Sequence, residues 1–361
     1  MEIKINYYII AIIIGLFLLT GYLLINYILV LDKIKKQNTE NIIIKNNTIK
    51  FDSLTLKQKI AQMIIVRGDE EDLEFANLNI GGIFLDRQTS EEAYENKIAS
   101  YQENSKIKLF VSTDLEGSWN PFIKDFENPH NFPYFSDIKT SEEAYEIGLE
   151  QSELLKKLGF NLNFAPVAEF EDNSYGGRVF TGTTQEIKEK LASYIKGLQE
   201  NVLGTCKHYP GKGMIKNTHI KPDSQNITEQ DIGLFKICFE NNVSAIMIGH
   251  QKATGILDSK GKPSSVSKEI IDSLKNNPQL IISDEINMWG LKFFYILGKS
   301  KLYMNLINAG ENVILDFKLT SYSTYRLISK IEKDVENRKI NKENIDKSVK
   351  KILISKGYKI N

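Results

Sequence analysis

Eight short apolar runs, separated by longer amphipathic segments, constrain the fold of this chain more than any other feature of its sequence. Continuous rather than alternating apolar character is typical of strands that are buried on both faces of a parallel sheet. The runs are MIIV (63–66), GGIFL (81–85), KLFVST (108–113), NLNFAPV (161–167), VLGTC (202–206), AIMIG (245–249), LIIS (280–283) and NVILDF (312–317).

The segments between the runs carry signals for the start and the end of helices. Thr140 and Glu143 have the spacing of a capping box, and Gly159 closes the same segment. Thr89 and Glu92 repeat that spacing. Eight strands that alternate with helices over roughly 300 residues predict a (β/α)8 barrel of the TIM type. A doubly wound open sheet is the alternative.

Reactive side chains cluster at the ends of the predicted strands. On a barrel of this kind the active site lies at the carboxyl ends of the strands, so these side chains are expected to converge there. They are Asp114, Lys207, His208, His250, Asp284 and Asp316.

The chemistry of such a site is narrowed by what the motifs lack. The segment TCKHYPGKGMIKNTHI (205–220) contains His208 and His219, but the chain has no H-x-H pair after the first strand and no H-x-x-x-H on a helix. A metal hydrolase is therefore disfavoured. A phosphate-binding loop is disfavoured as well, because GKG is short and lacks the serine or threonine that follows in such loops. A carboxylate at a strand end and an imidazole on a loop can instead serve as nucleophile and general acid/base.

Seven ordered motifs resemble those of glycoside hydrolase family 3, in its β-N-acetylhexosaminidase (NagZ-like) branch, over residues 54–357. KHYPGKGMIKNTH is similar to that family's KHFPGHG-x4-DSH loop, and LIISDEINMWG is similar to its nucleophile segment. The other five are LTLKQKIAQMI, STDLEG, NFAPVAEFED, GGRVFTGT and NAGENVIL.

The resemblance implies a role for each matching residue. Asp284 matches a catalytic nucleophile that forms a covalent glycosyl-enzyme with retention of configuration. His219 matches an acid/base on a flexible loop. No metal or organic cofactor is implied. The positions that match substrate-binding or site-proximal residues of the family are Asp114, Arg178, Lys207, His208 and His250.

Several positions depart from the family pattern. Asn217 stands where the family has an aspartate that orients the loop histidine, so the amide supplies a hydrogen-bond acceptor but no charge. Lys212 replaces a histidine, and Thr218 replaces a serine. Ser118 and Trp119 stand where glycine and arginine are expected, and Trp119 is a candidate for stacking on a sugar face.

The first part of the chain predicts a membrane anchor. Residues 5–31 carry no charge and exceed the roughly 20 apolar residues that a bilayer requires. We expect three parts: residues 1–36 as anchor and basic flank, 37–50 as a polar stalk, and 51–361 as the barrel domain. Lys33, Lys35 and Lys36 favour a cytoplasmic location for the barrel under the positive-inside rule, whereas the family resemblance favours the outside, which we prefer.

Composition leads to expectations about a nucleic-acid partner and about the cysteines. The formal net charge is zero, so no nucleic-acid partner is expected. Cys206 and Cys238 are too few for a disulfide framework, and we expect two buried free thiols. We also expect a monomer.

The sequence therefore predicts a membrane-anchored retaining β-N-acetylglucosaminidase that acts on amino-sugar glycans such as cell-wall fragments. A phosphorylase of the same family is one alternative, because Lys212 and Lys216 would suit an anion. A glycan-binding pseudoenzyme is the other, favoured by Asn217 and disfavoured by the presence of Asp284.

Overall fold

Eight parallel strands form a closed barrel in the computed structural model, which describes residues 7–39, 42–117, 119–124, 126–170, 176–211, 223–295 and 298–361. The strands follow one another around the barrel in chain order, and β8 pairs with β1 through Ile314 and Ile64. They are β1 (Ile64–Arg67), β2 (Gly82–Phe84), β3 (Phe110–Thr113), β4 (Leu162–Asn163), β5 (Leu203–Tyr209), β6 (Ala245–Ile248), β7 (Leu280–Glu285) and β8 (Val313–Leu315).

Each of the eight apolar runs overlaps one of these strands, so the predicted (β/α)8 barrel is confirmed. The pairing of β8 with β1 leaves no open edge in this sheet, which excludes the doubly wound alternative. Apolar side chains from both faces of the strands form one continuous core with the surrounding helices.

Helices surround the barrel. They are α1 (Tyr7–Thr39), α2 (Leu56–Gln62), α3 (Glu74–Asn77), α4 (Glu91–Glu103), α5 (Ser141–Leu158), α6 (Thr184–Leu198), α7 (Glu229–Glu240), α8 (Lys268–Asp272), α9 (Trp289–Lys292), α10 (Lys299–Ala309), α11 (Ser321–Glu336) and α12 (Lys342–Ser355). Short 3₁₀ turns lie at Phe51–Ser53, Phe135–Asp137 and Ser264–Val266.

The capping signals located the ends of α5 correctly and the start of α4 to within one residue. Thr140 caps α5 by accepting a hydrogen bond from the N–H of Glu143, and Gly159 ends that helix at a φ of 95°. The start of α4 was misplaced by one residue: its cap is Ser90, whose hydroxyl accepts from the N–H of Ala93, and not Thr89.

One helix of the described residues, over Ile10–Lys36, is long and apolar enough to cross a membrane, with a mean hydropathy of 2.2. It belongs to α1, whose large apolar side chains are exposed from Ile10 to Leu29. Its second half packs against α3 and α11, and Ile34 is fully buried there.

The segment expected to be a polar stalk differs from that expectation in its second half. Ile44–Lys45 and Thr48–Ile49 form a hairpin, and Thr48–Ile49 also pairs in parallel with Lys359–Ile360 near the end of the chain. Ile49 is fully buried in this small sheet. The burial of Ile49 explains why this segment folds onto the domain and does not form a solvated stalk.

The expectation of two free thiols is wrong. Cys206 on β5 and Cys238 on α7 are both buried, and their sulfur atoms form a disulfide with Cα atoms 6.5 Å apart. The helix packs directly on the strand, which brings together two residues that are 32 positions apart.

Candidate active site

A cavity of about 350 Å³ opens at the carboxyl ends of the barrel strands, which we call the mouth. Residues from most of the strands and the loops that follow them contribute to its wall. Its charged wall residues are Arg67, Asp86, Asp114, Glu116, Arg178, Lys207, His208, Asp284, Glu285 and Lys318, and its apolar ones are Phe84, Trp119, Phe164, Met247, Met288, Leu315 and Phe317.

Local irregularities in two strands turn consecutive side chains toward this cavity. Successive side chains of a regular strand point to opposite faces, yet Lys207 and His208 both line the cavity, as do Asp284 and Glu285. The β5–β6 register shifts between Lys207 and Tyr209, and the β7–β8 register shifts between Ile282 and Glu285. Such bulges re-aim side chains next to functional sites.

Asp284 lies at the end of β7 as a partly buried carboxylate. Its Oδ1 accepts a hydrogen bond of 2.7 Å from the N–H of Glu285, and its Oδ2 lies 3.9 Å from Nε2 of His208. Burial acts to raise the pKa of Asp284, but the charges of His208 and His250 outweigh it and hold that pKa below its usual value. Asp284 is therefore an ionised carboxylate facing the cavity.

The neighbouring Glu285 is not equivalent. Burial raises the pKa of its carboxyl group, and its oxygens accept hydrogen bonds from Asn287 and from the N–H of Phe317. Glu285 is therefore held against the loop after β8, which leaves Asp284 as the better nucleophile of the two.

Four charged side chains that also line the cavity form a largely buried network. Lys207 Nζ donates to Asp114 Oδ1 at 2.6 Å and lies 3.1 Å from Glu116 Oε1. Arg178 Nη2 donates to both carboxylate oxygens of Glu116, at 2.9 and 3.0 Å. Burial acts to lower the pKa of Lys207, but Asp114 and Glu116 raise it overall, so the ammonium group is retained. The network fixes two cations and two carboxylates where a polyhydroxylated ligand could bind them.

His208 is oriented by a second carboxylate. Glu169 Oε1 accepts from the N–H of His208 and lies 3.1 Å from its Nδ1. The ring is thereby fixed with Nε2 toward Asp284. The imidazole of His208 therefore lies between the carboxylates of Glu169 and Asp284.

Comparisons with known proteins identify the family of the chain. The Glycosyl hydrolase family 3 N-terminal domain matches residues 55–354 of the chain. The chain belongs to glycosyl hydrolase family 3. As a member, it is a glycoside hydrolase with a barrel of the expected kind.

Individual relatives are distant in sequence. The β-hexosaminidase LpqI of Mycobacterium tuberculosis is 21% identical over 329 residues, which cover 84% of this chain and 83% of that protein. The structure of a family 3 member from Mycobacterium smegmatis superposes with a TM-score of 0.75 at 21% identity, covering 85% of this chain and 98% of that one. A family 3 β-N-acetylglucosaminidase from Paenibacillus sp. FPU-7 superposes with a TM-score of 0.74 at 22% identity, covering 84% and 62%.

The structure brings five of the residues proposed from the family 3 motifs around one cavity. Asp114, Arg178, Lys207, His208 and Asp284 all line it, and so does Trp119, whose indole lies 6.0 Å from the guanidinium carbon of Arg87. The catalytic candidates His219 and Asn217 lie outside the described residues, as do Lys212, Lys216, Thr218 and Ser118.

Two of the predicted strand-end residues lie behind the cavity wall. His250 is buried, its Nδ1 lies 2.9 Å from Ser265 Oγ, and its Nε2 lies 3.0 Å from the carbonyl oxygen of Glu285. Asp316 is fully buried against Lys299 and Tyr303. His250 thus holds the backbone carbonyl one residue after Asp284, and Asp316 anchors α10.

Sequence reasoning missed Glu116 and undervalued Glu169. Glu116 stands two residues after Asp114 in STDLEG, a spacing that could have placed both acids on one side of the extended chain. The acid pair Glu169 and Glu171 in NFAPVAEFED favours a salt-bridging loop over a catalytic role, and Glu169 does pair with His208, but that pairing belongs to the site. The other acid of that pair, Glu171, lies outside the described residues.

Proposed function

We propose that this family 3 enzyme is a retaining β-N-acetylglucosaminidase that removes terminal β-linked N-acetylglucosamine from amino-sugar glycans. The observation that carries the proposal is the ionised Asp284 carboxylate, which lines the same cavity as the two buried cations Lys207 and Arg178. The β-hexosaminidase relatives support the amino-sugar class of substrate.

In the first step, Asp284 Oδ attacks the anomeric carbon while the bond to the leaving oxygen breaks and that oxygen takes a proton. In the second step water attacks the same carbon and Asp284 leaves as a carboxylate. This second displacement restores the original configuration at the anomeric carbon. We assign both proton transfers to His219, oriented by Asn217, since an imidazole can donate and then accept near neutral pH.

The remaining residues bind the sugar and tune the nucleophile. Lys207, Asp114 and Arg178 hold hydroxyl groups, and Trp119 stacks on a sugar face. His208 binds substrate and, with its positive charge next to Asp284, keeps the carboxylate ionised. His250 acts by positioning, because its ring holds the carbonyl oxygen of Glu285.

We further propose that α1 anchors the enzyme with the barrel outside the cytoplasm. The disulfide between Cys206 and Cys238 supports this orientation, because disulfides persist in oxidising compartments and are rare in the cytosol. The lysines after the apolar segment favour the opposite orientation under the positive-inside rule.

The test uses the full chain in detergent, with aryl β-N-acetylglucosaminides of good and poor leaving-group ability, each with and without phosphate. Asp284→Asn is expected to lower kcat on the order of 10⁴-fold, because it removes the nucleophile. His219→Ala should harm the poor leaving group far more than the good one, because only the poor one requires a proton.

The matched control is Asp258→Asn, at an exposed aspartate that pairs with Lys260. Its activity should equal that of the unaltered chain. Substantial turnover by Asp284→Asn would contradict the assignment. Stimulation by phosphate would identify a phosphorylase, and binding of N-acetylglucosamine oligomers without turnover would identify a pseudoenzyme.

A further inference from the structure

The docking of α1 fixes which end of the barrel faces the anchor. The ring of Tyr27 lies 5.4 Å from that of Tyr322, centroid to centroid. Tyr322 is in the first turn of α11, and that turn lies at the mouth because α11 follows β8. The N–H of Ser321 in the same turn donates to Asp72 on the loop after β1, which confirms its position at the mouth.

The other end of α1 runs toward the opposite face of the barrel. Ile34 is buried about two turns after Tyr27, and the hairpin that follows α1 pairs with Lys359–Ile360. Tyr358, just before that strand, accepts a hydrogen bond from the N–H of Lys108, at the amino-terminal entry to β3. The helix therefore descends from mouth to base, and everything before Tyr27 projects beyond the mouth.

The projecting part has the dimensions of a bilayer. Residues 7–26 form about 30 Å of helix at ~1.5 Å per residue, which is the thickness of a hydrocarbon core. This part carries no charge, and its large apolar side chains from Ile10 onward are exposed. Tyr22 and Tyr27 stand at its lower end, where aromatic residues occupy the interface between lipid and water.

An aromatic and basic rim lies beside this anchor on the same edge of the barrel. We define the rim as Lys252, Trp289, Lys292, Phe293 and Phe294. Its three aromatic side chains are 48%, 58% and 39% exposed in chain order, on the turn that follows β7. The strand β7 is next to β8, whose helix α11 contacts α1.

The composition of the rim fits a lipid surface better than a sugar. Lys292 Nζ lies 5.2 Å from the ring centroid of Trp289, and Lys252 Nζ lies 5.0 Å from that of Phe294. Among the described residues the cavity wall includes Met288 but not the three rim aromatics. Aromatic rings interleaved with lysines are the composition of surfaces that insert into the boundary between headgroups and acyl chains.

We propose that the barrel mouth faces the membrane and that the rim seats in the headgroup region of an anionic bilayer. The proposal rests on α1 spanning that bilayer. Its consequence for substrate, which also rests on the proposed function, is that the cavity receives glycan ends held close to the membrane surface rather than ends distant from it.

The chain contains two tryptophans, which makes the rim directly measurable. Trp119→Phe leaves Trp289 as the single emitter of the full chain in vesicles of phosphatidylcholine and phosphatidylglycerol. Lipids brominated on the upper acyl chain should roughly halve its emission, because interfacial side chains sit about 5–10 Å into the headgroup boundary. Adding Phe293→Ser and Phe294→Ser should restore much of that emission.

The matched control carries its probe at the base of the barrel. Ile354 is 61% exposed near the end of α12, which leads into Lys359–Ile360. In a chain with both native tryptophans replaced by phenylalanine, Ile354→Trp should show no quenching. Each variant is checked for its native thermal transition by circular dichroism.

Flotation and quenching separate the two ways in which the proposal can fail. A chain that does not float with the vesicles would overturn the membrane span of α1. A chain that floats but leaves Trp289 unquenched, or that quenches equally at position 354, would overturn the orientation. Neither result depends on turnover, so a failure of the proposed function would be seen only in the aryl glycoside assay.

Discussion

At the scale of single residues, the state of Asp284 is decided by its neighbours. Burial alone would favour the neutral acid, but His208 and His250 and the N–H of Glu285 stabilise the anion. Glu169 contributes indirectly, since it fixes the ring of His208. A glycosyl-enzyme mechanism requires a nucleophilic carboxylate that stays ionised although it is partly buried.

Replacement of His208 should therefore change the pH dependence of catalysis. In His208→Asn the positive charge that lowers the pKa of Asp284 is lost, so that pKa rises while the burial effect stays. The acid limb of the kcat/KM profile then moves to higher pH. The comparison is His130→Asn, at a histidine that pairs with Glu91 away from the cavity. An unmoved acid limb in His208→Asn would contradict the electrostatic role.

Glu311 illustrates a buried acid with no part in the chemistry. Its side chain is fully buried, neither carboxylate oxygen has a hydrogen-bond partner among the described residues, and burial raises its pKa well above the ordinary value. A raised folded-state pKa means that its contribution to stability is complete below the unfolded-state pKa and is lost as pH rises through the folded-state pKa.

Glu311→Met should therefore stabilise the fold, by about 1–3 kcal/mol at mildly alkaline pH, because it removes a polar group that has no partner. The gain should shrink as pH falls toward the ordinary range of glutamate. Urea unfolding at several pH values measures it, with Glu343→Met as control at an exposed site. A gain that is independent of pH, or a loss, would refute the account.

At the scale of elements, the site depends on the contact between the loops after β3 and β4. Gly117 has a φ of 52°, and a Cβ added there would lie 2.5 Å from the carbonyl oxygen of Gly177. Next to these glycines stand Glu116 and Arg178, which form the bidentate pair. The close approach of the two backbones thus sets the distance between the two charged groups.

Gly117→Ala should push these loops apart and weaken substrate binding. We expect KM to rise by about tenfold or more, because misplaced binding groups of this kind cost at least that much. Gly261→Ala is the matched control, since Gly261 also has a positive φ, of 73°, but open space around its Cβ position. Equal effects of the two substitutions would show that backbone strain, and not the loop contact, is responsible.

The secondary-structure elements also show which features could be predicted from the sequence and which could not. Continuous apolar runs predicted every barrel strand, because burial on both faces leaves that pattern directly in the chain. The register shifts that turn Lys207 and His208 to one side leave no such pattern, and neither does the pairing of Cys206 with Cys238. Those features depend on how neighbouring elements pack.

At the scale of the whole molecule, the sequence could not predict how the apolar helix is oriented on the barrel. The charge-free segment 5–31 predicted an apolar helix, but its length alone could not indicate that the last third docks on α11. The motifs predicted the cavity residues one by one, whereas the acids that organise them, Glu116 and Glu169, became evident only when the loops were assembled.

The central claim is that Asp284 forms a covalent bond to the sugar at the mouth of this barrel. The most direct measurement is intact-protein mass spectrometry of the full chain after exposure to a fluorinated N-acetylglucosaminyl fluoride, followed by peptide mapping. We predict the mass gain of one sugar, located on the peptide that contains Asp284 and absent from Asp284→Asn. No adduct under conditions of turnover, or an adduct on another residue, would contradict the account.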